Sequence, residues 1–162
     1  MSRNFAIAFA VGLAVIALAV AGILYMQRGD RILLEAKILK VRTAPLDENS
    51  AVAVLDFRLT NPSNILLEVQ RVEVEMEDTK GTRYDGDVIS DGDAKRVFEA
   101  VPVLGPKFLE TLSMRQRIQP HSTGDYMVAA RFQAPVAQVD ARARFVLRVN
   151  EADGKSFEFL ER

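Results

Sequence analysis

The side chains that could carry chemistry are few. His121 is the sole histidine, within Gln119-Pro120-His121-Ser122-Thr123-Gly124, where proline, glycine and hydroxyls mark a loop. A serine beside a histidine is the minimum for nucleophilic hydrolysis. Adjacent side chains on an extended chain point apart, however, and no carboxylate stands at a spacing that would orient the imidazole. The expectation is an exposed turn residue and no catalytic residue at all. The chain has no cysteine, so thiol nucleophiles and thiolate-zinc sites are excluded.

The densest group of carboxylates is Asp85-Gly86-Asp87-Val88-Ile89-Ser90-Asp91-Gly92-Asp93. Such a stretch offers oxygen ligands of the kind calcium takes. Its spacing is not that of an EF-hand loop, and the closing glutamate is missing. Asp and Gly are also the residues turns prefer, and Asp91 or Asp93 stands where a helix N-cap is needed. The turn-and-cap reading is the expected one, with no metal and no cofactor. The protein is expected not to be an enzyme.

Four arginines, Arg131, Arg142, Arg144 and Arg148, fall on or beside the outward positions of two C-terminal strands. They could meet lipid phosphates or an acidic partner. The expectation is cross-strand pairing with acidic neighbours such as Glu73, Glu75 and Glu77. With 21 basic and 22 acidic side chains the net charge is −1, which gives no general attraction for nucleic acid.

The elements that hold these residues begin with an uncharged run from Phe5 to Tyr25. As a helix it would extend about 31 Å, enough to cross a hydrocarbon core. Ala19-Val20-Ala21 has the form of a signal-peptidase site, but the apolar residues continue past it, which favours an uncleaved anchor. The division expected is an anchor over 1–26, a linker over 27–31 and one domain over 32–162. The positive flank of Arg28, Arg31, Lys37 and Lys40 favours a cytoplasmic domain. A short tail before a long apolar run is instead the form of a signal anchor that exports its C-terminal domain. The expected location is the cell membrane, single-pass, with the domain outside the cytoplasm.

Beyond the anchor the dominant period is two. Ala53, Leu55, Phe57 and Leu59 form one face of a half-buried strand, with Asp56, Arg58 and Thr60 on the other. Val72, Val74 and Met76 alternate with glutamates, and Tyr126 to Phe132 and Phe145 to Val149 repeat the pattern. Ile32 to Thr43 alternates but changes parity near Ile38 and Leu39, which predicts a bulge. Asp78-Thr79-Lys80-Gly81 and Asp153-Gly154 supply turns for two hairpins. About seven strands predict an all-β antiparallel sandwich, with an open barrel as the structural rival. Ala94, Val97, Phe98 and Val101 predict one short helix, capped by Asp93 and stopped by Pro102. The connection after it is apolar: Val103, Leu104, Phe108 and Leu109 either pack on the core or present a surface to a partner.

Leu59-Thr60-Asn61-Pro62-Ser63, the apolar stretch and strand after it, the Met127 to Phe132 strand and the closing Asp-Gly hairpin together resemble the LEA14-like domain. This is also called the water-stress and hypersensitive-response, or WHy, domain. The resemblance covers most of Ile32 to Glu161, and its sharpest motif is Asn61-Pro62. It implies a sandwich of the fibronectin type III kind with Asn61 and Pro62 at a loop near one end, as structural positions. It also implies a role in desiccation or other stress, with no catalytic site. The function expected is a membrane-anchored binding or protective module of the cell envelope, with envelope proteins as partners; the alternative is an adaptor in an envelope complex.

Overall fold

The computed structural model describes residue 9, residues 12–22 and residues 33–161. The chain divides into two compact units between Ile32 and Leu33. In the first, residues 12–22 form helix α1, whose side chains are apolar and exposed all round. At 1.5 Å per residue this stretch runs about 17 Å. Among the described residues no helix is long and apolar enough to cross a membrane. Both ends of the expected Phe5–Tyr25 span, and the linker expected over 27–31, lie outside the described residues.

The second unit is built on antiparallel strands. They are β1 (Glu35–Asp47), β2 (Ser50–Asn61), β3 (Leu67–Glu77), β4 (Arg83–Val88), β5 (Glu110–Thr111), β6 (Arg117–Ile118), β7 (Ser122–Phe132), β8 (Arg144–Glu151) and β9 (Ser156–Leu160). Helix α2 (Asp91–Ala100), a 3-10 turn (Pro102–Leu104) and helix α3 (Val136–Asp140) complete it. The strands form one curled sheet in the order β1-β2-β7-β4-β3-β8-β9, with β5 parallel to β7 and β6 on β3. The seven longer strands are those expected. The two-residue β5 and β6 lie in a connection with no period-two pattern.

The sheet curls because β4 changes partners. Arg83 to Gly86 pair with β3, whereas Asp87 and Val88 pair with β7. Gly86 stands at the switch, where an added Cβ would lie 2.6 Å from Cζ of Phe132, so any side chain there would have to displace that ring. Between the two halves lie Leu55, Phe57, Leu59, Val74, Met76, Phe132, Phe145 and Leu147, all buried.

Three expectations need correction. β2 is covered on both faces: Val52, Val54 and Asp56 are buried too, because α2 and the 3-10 turn lie over the outer side of β2 and β7. Ala94, Phe98 and Leu104 pack there on Val52, Val54, Met127 and Ala129. The N-cap of α2 is Ser90, whose Oγ accepts from the Asp93 N–H at 3.2 Å while its hydroxyl donates to Asp93 Oδ2 at 2.7 Å. Asp93 therefore stands in the first turn, bonded to the cap, and is not the cap itself. Asp85 and Asp87 belong to β4 and not to a turn. The expected irregularity of the first strand is present as a register slip between Ile38 and Lys40.

Candidate functional site

The partner change of β4 opens a gap in the sheet. The last β3–β4 pair is Val74 with Gly86, and β6 takes only Leu67 and Glu68 at the other end of β3. Among the described residues, Arg71 to Glu73 therefore have a strand neighbour on one side alone, in β8. A cavity of about 610 Å³ opens against this edge. Its walls are Gly86 to Val88 of β4, Ile89 to Asp91 at the head of α2, and Thr111 to Met114.

Asp91 fixes that wall. Its carboxylate accepts from the Thr111 hydroxyl at 2.7 Å and pairs with Lys95 at 2.9 Å and Lys107 at 3.0 Å. These contacts, the Thr111 bond foremost, hold the Asp91 carboxyl well below the usual carboxylate range. Helix head and connection are thereby tied together beside the gap.

The outer face of the β4-β3-β8-β9 half carries a network of charges. Arg148 meets Glu73 at 3.2 Å, Glu75 at 2.7 Å and Glu158 at 3.0 Å, and Arg144 meets Glu77 at 2.7 Å. Arg83 joins Glu75, Glu77 and Glu158. The Glu158 bond first of all raises Arg148 above its ordinary value, and Arg144 lowers Glu77. The expected pairing thus holds for Arg144 and Arg148. Arg131 instead lies near Asp47 at 3.6 Å, and Arg142 pairs with Glu161 at 2.8 Å, because both stand beyond the reach of the β3 glutamates.

The residues singled out in the sequence do not converge. Asn61 is buried at the end of β2. Its Nδ2 donates to the Ile65 and Ile118 carbonyls at 2.8 and 3.1 Å, and its Oδ1 accepts from the Ser63 N–H and hydroxyl. Pro62 follows where pairing with β7 stops. The apolar connection splits: Leu104 is 2% exposed and Leu109 packs on the α2 cluster, whereas Val103 and Phe108 are 74% and 77% exposed. Leu104 is core and not partner surface. His121 is an exposed turn residue with a positive φ of 52°, its Nε2 2.7 Å from Asn64 Oδ1. The Ser122 hydroxyl donates to the Gln119 carbonyl at 2.6 Å and not to the imidazole.

Among the described residues no group of three or more His, Asp or Glu is placed to hold a metal ion. The gap therefore offers a strand edge, apolar walls and carboxylates. Periodicity could not find it, because it arises from one strand serving two neighbours. Gly86 within an otherwise strand-like stretch was the one local signal.

No family model matches the chain, and no curated protein matches it. Among solved structures it is similar to an uncharacterized β-sandwich protein from Clostridium difficile, at 14% identity over 83% of this chain and 91% of that one, with a TM-score of 0.42. It is also similar to a Bordetella pertussis protein provisionally named ApaA, at 13% identity over 81% and 89%, with a TM-score of 0.39. A flagellar-like filament, Iho670, aligns at 12% identity over 95% and 96%, with a TM-score of 0.30. At these levels the likenesses bring no function to this chain.

Proposed function

We propose that the chain is a membrane-anchored β-sandwich of the LEA14-like, or WHy, kind that binds or shields other components of the cell envelope without catalysis, in desiccation or related stress. The observation that carries this reading is the gap beside Arg71 to Glu73, which presents an open strand edge and apolar walls. The grouping of β1-β2-β7 against β4-β3-β8-β9 supports a fibronectin type III-like layout. Asn61, saturated with hydrogen bonds beside Pro62, supports the structural role that the resemblance implies. A helix apolar on every side supports a lipid environment for α1.

The test is protease accessibility of the domain in intact cells and in spheroplasts, with the mass of the mature N-terminus. Digestion from outside with the first residues still attached is the expected result. Protection until lysis sinks the extracytoplasmic placement, and a mature chain beginning after Ala21 sinks the anchor.

The free β3 edge favours a second reading, an adaptor in an envelope complex. Crosslinking in native membranes separates the two. An adaptor yields one partner in fixed ratio, whereas a protective module yields none and slows aggregation of other envelope proteins on drying.

A further inference from the structure

We infer that the gap in β3 takes an extended segment of a partner polypeptide, added as a strand and bearing lysine or arginine on its outward side. This rests on the binding-module reading above and names its site and its ligand chemistry.

The stretch with a strand neighbour on one side alone among the described residues, Arg71 to Glu73, spans about 10 Å of edge at strand rise. Its backbone presents donors and acceptors in alternation, and another peptide backbone matches that pattern where a lipid or a sugar does not.

The two sides of the incoming strand meet different chemistry. Gly86 faces the core, since an added Cβ would meet Phe132 and Ala130. Val88, two residues on, shares that face and yet stays 41% exposed, because the gap opens beside it. With Val72, Leu112 and Met114 it gives inward side chains an apolar bed.

The outward rim is acidic. Asp85 and Asp87 line up on it and among the described residues have no ion pair, whereas Glu73 is already held by Arg148 at 3.2 Å. Arg71 reaches only Glu73, at 3.6 Å. A cation on the incoming strand would complete cross-strand pairs on this rim. The occupant is thus a chain that alternates apolar and basic residues.

The test uses the full chain in nanodiscs, isotopically labelled, with three peptides as probes. They are a hexapeptide alternating lysine and valine, its glutamate counterpart, and the lysine peptide N-methylated at alternate amides. The expected result is saturable amide shifts at 71–73, 86–91 and 111–114, slower hydrogen exchange at 71–73, and roughly tenfold weaker binding of the glutamate peptide. N-methylation should abolish binding. Asp87→Lys, at an exposed position, should weaken the lysine peptide several-fold and strengthen the glutamate one.

Three results would overturn the inference: no shifts at 71–73 with millimolar peptide, equal binding of the N-methylated peptide, or concentration-dependent shifts at the same amides without peptide. The last assigns the gap to a second copy of this chain. Shifts that gather around Phe108 instead remove the strand addition but leave the binding-module reading standing. That reading falls separately, if native-membrane crosslinking finds no partner and drying shows no protection.

Discussion

Arg42 of β1 holds Asp56 of β2 in a two-toothed ion pair, with Nη2 donating to both carboxylate oxygens at 2.8 and 3.0 Å. Nη1 donates to the Leu104 and Pro106 carbonyls at 2.9 and 3.1 Å, and the guanidinium lies 5.1 Å from the Phe98 ring centre. One largely buried cation thus fastens the 3-10 turn and α2 to the sheet. Asp56→Ala leaves that cation unpaired and should cost about 3–5 kcal/mol in denaturant melts, whereas Asp56→Leu with Arg42→Met should recover much of the loss. A single-variant loss no larger than that of an exposed substitution would show that the pair holds nothing.

Such a pair explains what could be read in the sequence and what could not. Period-two patterns placed the seven longer strands because each has one apolar face towards the core, and Asp78-Gly81 and Asp153-Gly154 placed the hairpins because their chemistry is local. The parity change at Ile38 likewise reported its bulge. Val52 and Val54, however, are apolar on the face expected to be wet, and Asp56 looked like an ordinary surface carboxylate. Only the helix folding back over them, a contact distant in sequence, decides otherwise. The gap beside Val72 is equally non-local, since it needs β4 to leave β3 for β7. The Ser90 cap is masked in the sequence by the aspartates beside it.

Asn61 makes a local prediction. Its amide ties the turn at Ile65 to β6 through Ile118, 57 residues away in the chain. Asn61→Ala strands the Ser63 N–H and takes one donor each from the Ile65 and Ile118 carbonyls, at about 1–3 kcal/mol for a buried group left unsatisfied. The melting point should fall steeply, and hydrogen exchange at 63–66 and 117–118 should quicken. Pro62→Ala should cost less than about 1 kcal/mol, since it acts mainly through the unfolded chain. Equal losses from the two substitutions would contradict the clamp.

The split of the 103–109 connection separates surface from core by a stability measurement. Val103→Ser with Phe108→Ser should leave the denaturation midpoint nearly unchanged, because both side chains face solvent. Leu104→Ala should cost about 2–5 kcal/mol through the cavity it leaves. Loss of a crosslinked partner in the double variant, with the midpoint retained, would identify Val103 and Phe108 as contact residues. A lowered midpoint would return them to the core.

Glu151 yields a pH dependence with a definite sign. It ends β8 at 3% exposure, and its Oε2 finds no hydrogen-bond partner among the described residues. Burial pushes its carboxyl up from the ordinary value of 4.5, Asp153 adds to this and Lys155 opposes it. A carboxyl raised in the folded state contributes stability below the unfolded-chain value of 4.5 and loses it as pH climbs through the folded value. Glu151→Gln keeps the shape and cannot ionise. The difference between the two proteins should be small under acid conditions and grow in favour of the glutamine variant towards neutrality, as read from denaturant midpoints across that range. A difference that stays flat with pH would mean that the carboxylate is solvated in place, and the burial assigned to it would then not govern its charge.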